Sequence, residues 1–208
     1  MPMKSNPPDC SYFRLFHALP TAESFDLYLD DMLYTKDFLY EDFTLYKPIS
    51  LGEHTLKVCP HKESEPIYER TFWISEKKIY TLVLTYTPNT TNIQGYLLNE
   101  PPKAIPEEHL LIRVGNFSQC ITPLTLHLVE TKPLFKKVPL RQTSSYLSFL
   151  PTTAAIELLE IENGHLLTTT SNNTFKISRY YTLYVIGGIE NYPLKWVQTI
   201  DGNSFIHF

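Results

Sequence analysis

The chain has little glycine, little net charge and no long apolar run. Only 7 of its 208 residues are glycine, and neither a GxxxxGK[ST] nor a GxGxxG phosphate-binding loop occurs. A net charge of −4 supplies no basic surface for nucleic acid. No stretch approaches the roughly 20 apolar residues of a membrane span, and the N-terminus lacks the apolar core of a secretory signal. We therefore expect a protein with no nucleic-acid partner and no membrane span, either cytoplasmic or delivered to a spore or cell surface without Sec export.

Cysteine is also scarce, with Cys10, Cys59 and Cys120 far apart in the chain. Three cysteines at these spacings form neither a disulfide framework nor a zinc motif. They are typical of free, unreactive thiols in a reducing compartment, so we expect no metal and no cofactor. Cys10 lies in a proline-rich arm and is the one candidate for pairing with another chain.

Aromatic residues and prolines are abundant, with 14 tyrosines, 12 phenylalanines and 16 prolines. The stretch FDLYLD places Phe25, Leu27 and Leu29 on one face, and the apolar run at 79–86 is typical of a central strand. No window shows a helical period. About seven such strands in each half predict an all-β fold, with antiparallel β-sandwich domains of immunoglobulin-like type.

Similar strand patterns return about 100 residues later in the chain. The matching positions keep their order and facing: Arg14 and Arg113, Leu27 and Leu126, Tyr46 and Tyr146, Leu56 and Ile156, Phe72 and Phe175. This repetition predicts two tandem domains. We place an N-terminal arm at 1–10, the first sandwich at 11–98, a proline-rich, semi-rigid linker at 99–108 and the second sandwich at 109–208.

The first half resembles a bacterial family known as domain-of-unknown-function family 4397. The similarity lies in an Arg-x-x-His-Ala-x-Pro-x-Ala pattern followed by an Asp-x-Tyr-x-Asp strand, here at 14–22 and 26–30, and in the strand openings LGEHTLKV and KKIYTLVL. It covers residues 11–98. The second half departs from it, with Asn116, Phe117 and Thr125 in place of His17, Ala18 and Asp26. The resemblance implies a sandwich domain often found in tandem in cell-surface or envelope proteins, and it implies no established chemistry.

His17 and the aspartates that follow it are the first candidate site. His17 with Asp26, Asp30 and Asp31 has the residue types of an acid–base pair or a partial metal site. The alternative is a structural hydrogen bond that ties the strand end to the turn, which we favour. Arg14 and Arg113 recur in both halves and are expected to pair across the outer face of the sheet. Arg14, His17, Asp26 and Arg113 are thus predicted structural staples.

Other chemistry is sparse. The spacing of His54, Cys59 and His61 could be that of a metal site. However, His54 and Cys59 are an odd number of residues apart on one strand, so their side chains should point to opposite faces. No GxSxG nucleophile elbow occurs, and the carboxylates form no obvious facing pair. We expect a protein that is not an enzyme, and an undetected hydrolase around His17 stays a distant alternative.

The stretch LYTKDFLYEDFTLY, residues 33–46, is the second candidate site. Its five aromatic residues cannot easily all face one thin core: Tyr34, Phe38, Tyr40, Phe43 and Tyr46. They form either an exposed surface for a protein or glycan partner or a hairpin packed over its own sandwich edge. The leading hypothesis is a non-enzymatic structural or protein-interaction module that assembles with itself or with another surface or coat protein, in an envelope or spore-surface layer. The alternative is a carbohydrate- or ligand-binding module that uses this aromatic stretch.

Overall fold

The computed structural model describes residues 10–119, 124–128, 133–151, 153–160 and 166–208. The predicted N-terminal arm, apart from Cys10, and Cys120 lie outside these residues. The chain divides into two compact units. Unit 1 comprises Met1–Thr87, Thr91–Pro101 and His207–Phe208, and unit 2 comprises Pro88–Thr90 and Pro102–Ile206. In the described parts of the chain, no helix has the length and apolar character needed to cross a membrane.

Unit 1 consists of eight strands in two four-stranded sheets. The strands are β1 Ser11–His17, β2 Phe25–Leu29, β3 Met32–Phe38, β4 Lys47–Ile49, β5 Gly52–Pro60, β6 Tyr68–Ile74, β7 Ile79–Tyr86 and β8 Ile93–Asn99. One sheet has the order β4-β1-β7-β8 and the other has the order β3-β2-β5-β6. The sheets therefore place β1 and β7, and β2 and β5, in their centres.

The core of unit 1 follows from the period of two along each strand. Phe13 and Leu15 of β1 and Phe25 and Leu27 of β2 are fully buried in one cluster between the sheets. Residues of opposite parity, such as Arg14, point to the outer face of their sheet. Strand β7 is buried almost throughout, because it lies in the centre of its sheet with its outer face covered as well.

The predicted all-β fold and sandwich architecture are confirmed. The neighbours within each sheet are antiparallel, with one parallel pair in each unit: β1 runs parallel to β7, and β9 runs parallel to β15. Alternating hydrophobicity predicts strands but carries no information on the direction in which two of them pair.

Unit 2 also contains eight strands. They are β9 Leu110–Asn116, β10 Leu124–Leu128, β11 Pro133–Val138, β12 Leu147–Phe149, β13 Thr153–Glu160, β14 Leu166–Thr174, β15 Tyr180–Ile186 and β16 Lys195–Ile200. The sheet orders are β12-β9-β15-β16 and β11-β10-β13-β14. The sequence AIELLE, which has helix-forming composition, lies in strand β13 as predicted. Each strand of unit 1 thus has a counterpart in unit 2 at the same place in its sheet.

Candidate functional site

A buried ionic cluster lies on the outer face of the β1–β7 sheet in unit 1. The Arg14 Nε donates to Thr81 Oγ1 at 2.8 Å, and the guanidinium lies 3.6 Å from Glu100 Oε1. The same carboxylate accepts hydrogen bonds from Thr81 and from the Tyr46 hydroxyl at 2.6 and 2.7 Å. The rings of Tyr46 and Phe43 cover the guanidinium at 4.4 and 4.9 Å from their centroids. This cluster joins β1, β7, the end of β8 and the segment before β4.

Unit 2 carries a matching cluster built from a shorter acid. Arg113 Nε donates to Thr182 Oγ1 at 2.8 Å and lies 3.6 Å from Asp201 Oδ2. Both Thr182 and the Tyr146 hydroxyl donate to this carboxylate. The Tyr146 ring covers the guanidinium at 4.8 Å. Apart from the acid, the arginine, threonine and tyrosine of the two clusters are the same residue types at corresponding positions.

The environment of the two arginines is more buried than an outer sheet face would suggest. They do lie on the outer faces of their sheets, but their exposed fractions are only 4% and 2%, since aromatic side chains cover them. The acids that pair with them, Glu100 and Asp201, are buried as well. Sequence reasoning did not single out these acids, although each directly follows the last strand of its unit. Removal of either partner would leave an uncompensated buried charge, which is strongly destabilising.

His17 is buried at the end of β1, apart from the aspartates proposed as its partners. Its ring packs against Phe25 and Phe38, with Tyr40 at its edge. Nδ1 accepts a hydrogen bond from the Leu19 N–H at 3.3 Å, and Nε2 has no hydrogen-bond partner among the described residues. Burial lowers the pKa of His17 to about 4. The ring is thus neutral near pH 7 and inaccessible, which does not suit acid–base chemistry there.

Asn116 occupies the position of His17 in unit 2. Its Oδ1 accepts hydrogen bonds from the N–H and hydroxyl of Ser118, two residues on, as His17 Nδ1 does from Leu19. Its Nδ2 donates to the Val138 carbonyl at 3.2 Å. The amide therefore makes the local bond of the histidine and adds two that the histidine lacks.

Asp26 forms a structural contact, but with residues other than His17. It accepts hydrogen bonds from the Asp37 N–H at 2.9 Å and from His61 Nδ1 at 2.7 Å. Asp37 has a φ of 52°, at a register shift between β2 and β3. Burial by itself would raise the pKa of Asp26, but these hydrogen bonds hold that pKa below its usual value. Asp26 thus fixes the irregular end of β3 and the turn that carries His61.

Asp30, His54 and Ser50 have the residue types of a nucleophilic triad at the end of the sandwich. His54 Nδ1 lies 2.6 Å from Asp30 Oδ2, and Nε2 lies 3.4 Å from the Ser50 hydroxyl. Nε2 is closer to the Ser50 carbonyl oxygen, at 2.9 Å, and the hydroxyl lies near the distance limit of a hydrogen bond. The arrangement ties two turns together and lacks the hydrogen-bond pattern of a catalytic triad.

The remaining polar candidates are separated from one another. Asp31 pairs with Lys57 at 2.6 Å on the surface. His54, Cys59 and His61 do not come together, and the described residues contain no group of three or more metal-ligating side chains. Cys59 is buried, and burial raises the pKa of its thiol. Within this part of the chain, each titratable side chain of the first candidate site has its own structural contact.

Most of the predicted aromatic surface is used inside unit 1. The hydroxyl of Tyr34 donates to the Phe13 carbonyl at 3.1 Å, and burial raises the pKa of Tyr34 to about 12. Phe38 is buried, and Phe43 stacks on Phe16 with centroids 4.0 Å apart. Tyr40 and Tyr46 are half-buried and contact His17 and the Arg14 cluster. These rings largely anchor the segment between β3 and β4, residues 39–46, as in the packed-hairpin alternative.

A groove of about 430 Å³ lies between strand β3 and this 39–46 segment, within the usual size range of binding pockets. It is lined by Tyr34, Thr35, Lys36, Asp37, Phe38, Asp42, Phe43, Thr44, Leu45 and Lys47. Three of the five predicted aromatic residues, Tyr34, Phe38 and Phe43, line it. Two lysines and two aspartates leave the lining without net charge.

The rim of the groove is apolar and exposed. Leu45, in the lining, is 83% exposed, and Leu39, on the same segment, is 48% exposed. Lys47 Nζ lies 4.2 Å from the Tyr34 ring centroid and donates to the Tyr34 carbonyl at 3.0 Å, which covers part of the β3 edge. Leu39 and Leu45 are thus available for side-chain contacts, whereas the irregular, lysine-covered edge is poorly suited to an added strand.

Comparisons with solved structures show only distant likeness. A structure of family 41 carbohydrate-binding modules from streptococcal virulence factors, concerned with alpha-glucan recognition, is 11% identical, with 85% of this chain and 93% of that chain covered and a TM-score of 0.28. A second structure, concerned with alpha-glucan binding by a streptococcal virulence factor, is 11% identical, with 95% and 100% covered and a TM-score of 0.27. These scores are too low to bear on the fold or function of this chain.

Among curated proteins, none matches the chain. The family model described as Domain of unknown function (DUF4397) matches residues 11–127. The match confirms the resemblance seen in the first half and extends it past residue 98 into β10 of unit 2. More than half of the chain is covered, and the chain therefore belongs to the DUF4397 family.

Proposed function

We propose that the chain is a non-enzymatic interaction module that assembles with copies of itself through the groove and apolar rim of unit 1. The exposed Leu39 and Leu45 beside the groove are the observation that carries this proposal. Exposed apolar side chains rimmed by polar residues are typical of protein–protein contact surfaces. An envelope or spore-surface layer is the setting in which such an assembly subunit would act.

The histidines support a non-enzymatic role. His17 is buried, and His54 Nε2 lies 2.9 Å from the Ser50 carbonyl oxygen. A general base needs an accessible ring nitrogen with a free lone pair at a place where substrate can lie. We therefore assign these two rings to structural bonds, and we assign Nδ1 of His61 to its bond with Asp26.

A second candidate function is the binding of a neutral glycan in the same groove. Its support is the composition of the lining, in which aromatic side chains stand beside hydroxyl and carboxylate groups with no net charge. Such a lining suits a ligand with many hydroxyl groups and no charge of its own. We rank it second, because the Tyr34 and Phe43 rings already contact Lys47 and Phe16.

We also infer that the two units are copies of one domain, as in the predicted division at 11–98 and 109–208, with the first copy continuing to Glu100 inside the predicted linker 99–108. The corresponding sheet orders and the two arginine clusters support this inference. Only the first copy has the family pattern around His17, and the groove is described on that copy. In this scheme the first copy carries the contact surface for the partner, and the second copy has the same sandwich scaffold.

Light scattering after size-exclusion chromatography, over a hundredfold range of protein concentration, tests the assembly proposal. We expect the average mass to rise with concentration and Leu45→Asp to abolish the rise, because a carboxylate would be buried in the contact. Ile177→Asp in unit 2, at a side chain that is also exposed, is the matched control and should leave the rise unchanged. A monomer at every concentration would overturn the proposal. A hit on a glycan array that Leu45→Asp or Asp42→Ala removes would then favour the second candidate.

A further inference from the structure

We propose that mild acid opens the 39–46 segment, and with it the groove of unit 1, through protonation of the buried His17. The consequence for partner binding rests on the proposed function. The opening itself does not, since it concerns only contacts within unit 1. Unit 2, with Asn116 at the same place, serves as an internal reference.

His17 is one attachment point of the 39–46 segment, and Leu15, which exchanges hydrogen bonds with Thr44, is another. Its N–H donates to the Asp42 carbonyl at 3.0 Å, and its carbonyl accepts from the Glu41 N–H at 2.8 Å. Its ring contacts Tyr40 of the segment and Phe38, which lines the groove. Displacement of this residue would therefore loosen both walls of the groove.

The hydrogen bonds of the ring require its neutral form. Nδ1 accepts from the Leu19 N–H, so it holds a lone pair and the ring proton is on Nε2. A second proton on Nδ1 would turn an acceptor into a donor that faces another donor. It would also place a positive charge against Phe25 and Phe38 in a site sealed from solvent.

No charged side chain is in contact with the ring to stabilise that charge among the described residues. Of the charged groups on the surrounding elements, Arg14 pairs with Glu100, Asp26 binds His61 and Lys57 pairs with Asp31. Lys36, Asp37 and Asp42 line the groove, and Glu41 is half-buried on the segment. The Tyr40 ring lies 6.4 Å from the His17 ring, measured between centroids. The folded segment thus favours neutral His17.

The pKa of His17 gives the pH window of the effect. Burial lowers this pKa from 6.5 to about 4, so the open segment binds a proton more readily than the closed one. Opening then becomes more favourable as the pH falls below about 6.5, and the effect levels off below about 4. Between pH 7.5 and 5.0 these two pKa values raise the opening equilibrium roughly thirtyfold.

Unit 2 has the same attachment without the titratable ring. The Asn116 N–H donates to the Gln142 carbonyl at 3.0 Å, and the Arg141 N–H donates to the Asn116 carbonyl at 2.7 Å. The amide of Asn116 does not titrate in this pH range. The segment 139–146 should therefore be insensitive to mild acid, under the same conditions and in the same molecule.

Hydrogen–deuterium exchange of the intact chain at pH 7.5 and 5.0, corrected for the intrinsic pH dependence of exchange, tests the proposal. We expect protection of residues 39–46 to fall about thirtyfold at pH 5.0, with no such change at 139–146. His17→Asn should abolish the difference, because asparagine satisfies the equivalent position in unit 2. His54 and His61 are present in both proteins, so the comparison isolates His17. Equal acid sensitivity in the native and His17→Asn proteins would overturn the proposal.

A reciprocal variant covers the case in which His17→Asn fails to fold at pH 7.5. Asn116→His should then make residues 139–146 more exchangeable at pH 5.0 than at 7.5, and an unchanged ratio would again contradict the proposal. Light scattering at both pH values distinguishes a failure of this inference from a failure of the proposed self-assembly. Acid-sensitive exchange in a chain that stays monomeric at pH 7.5 would uphold the switch and reject self-assembly.

Discussion

The two units share a scaffold and differ at the buried position that ends the first strand. Each has an arginine on its first strand, a threonine on the parallel neighbour, an acid after the last strand and a tyrosine before the short edge strand. At the end of the first strand, unit 1 has His17 with an unsatisfied Nε2, and unit 2 has Asn116 with its hydrogen bonds made. The shared cluster indicates what the sandwich requires, and the position that differs indicates where unit 1 is specialised.

The largest effect should come from breaking the shared cluster. Arg14→Ala leaves Glu100 buried without its counter-charge, and we expect it to destabilise unit 1 by about 3–5 kcal/mol. Arg113→Ala should do the same to unit 2 through Asp201. Urea denaturation followed by hydrogen exchange resolved for each unit measures both. If Arg14→Ala left unit 1 as stable as before, the cluster would not be needed for the stability of both units.

The second largest effect should be a difference between the two units in how their stability depends on pH. Because the His17 pKa is lowered in the folded state, unit 1 should lose about 3 kcal/mol as the pH falls from 7 to 4. This stability is fully present above pH 6.5 and declines below it. His17→Asn should flatten the profile, and His17→Ala should flatten it with a lower stability at pH 7. Calorimetry of the three proteins across this range distinguishes them. A His17→Asn profile as steep as the native one would assign the loss to other groups.

A smaller and symmetric effect is expected from the tyrosine hydroxyls. Tyr46→Phe and Tyr146→Phe each remove one hydrogen bond to a buried carboxylate, at 2.7 and 2.6 Å, and keep the ring over the arginine. We expect a loss of about 1.5–3 kcal/mol in the unit concerned. The urea midpoints of the two variants measure this loss. A large effect in one unit and none in the other would show that the clusters are unlike in energy.

The smallest effect should come from the exposed pair of Asp31 and Lys57, which are 2.6 Å apart at the surface. Solvent screens such pairs, and the long side chain loses conformational freedom when it is held in one geometry. We therefore expect Asp31→Asn to leave the urea midpoint unchanged within error. A loss as large as that of Arg14→Ala would reverse the contrast between surface and buried charge.

Particular residues show how far sequence reasoning reached. The alternation in FDLYLD correctly placed Phe25 and Leu27 in the core, and the apolar run at 79–86 is indeed a central strand. His17 was placed on the inward face by the same parity. The aspartates that were considered as its partners bind elsewhere: Asp26 binds His61, just after β5, and Asp30 binds His54, in β5. The aromatic stretch was identified, but its division between anchoring rings and an exposed leucine rim was not.

The sequence by itself determined that the chain forms strands, which side chains face inward, and that it belongs to its family, because a period of two and local motifs are properties of short stretches. The tertiary structure decided which charges meet. Arg14 reaches Thr81 because β1 pairs in parallel with β7, and it reaches Glu100 because β8 returns along β7 to the same end of the sheet. The same packing decided that His17 is sealed from water while Leu45 is not. Sheet order and loop coverage depend on contacts between residues far apart in sequence, and alternating hydrophobicity carries no record of them.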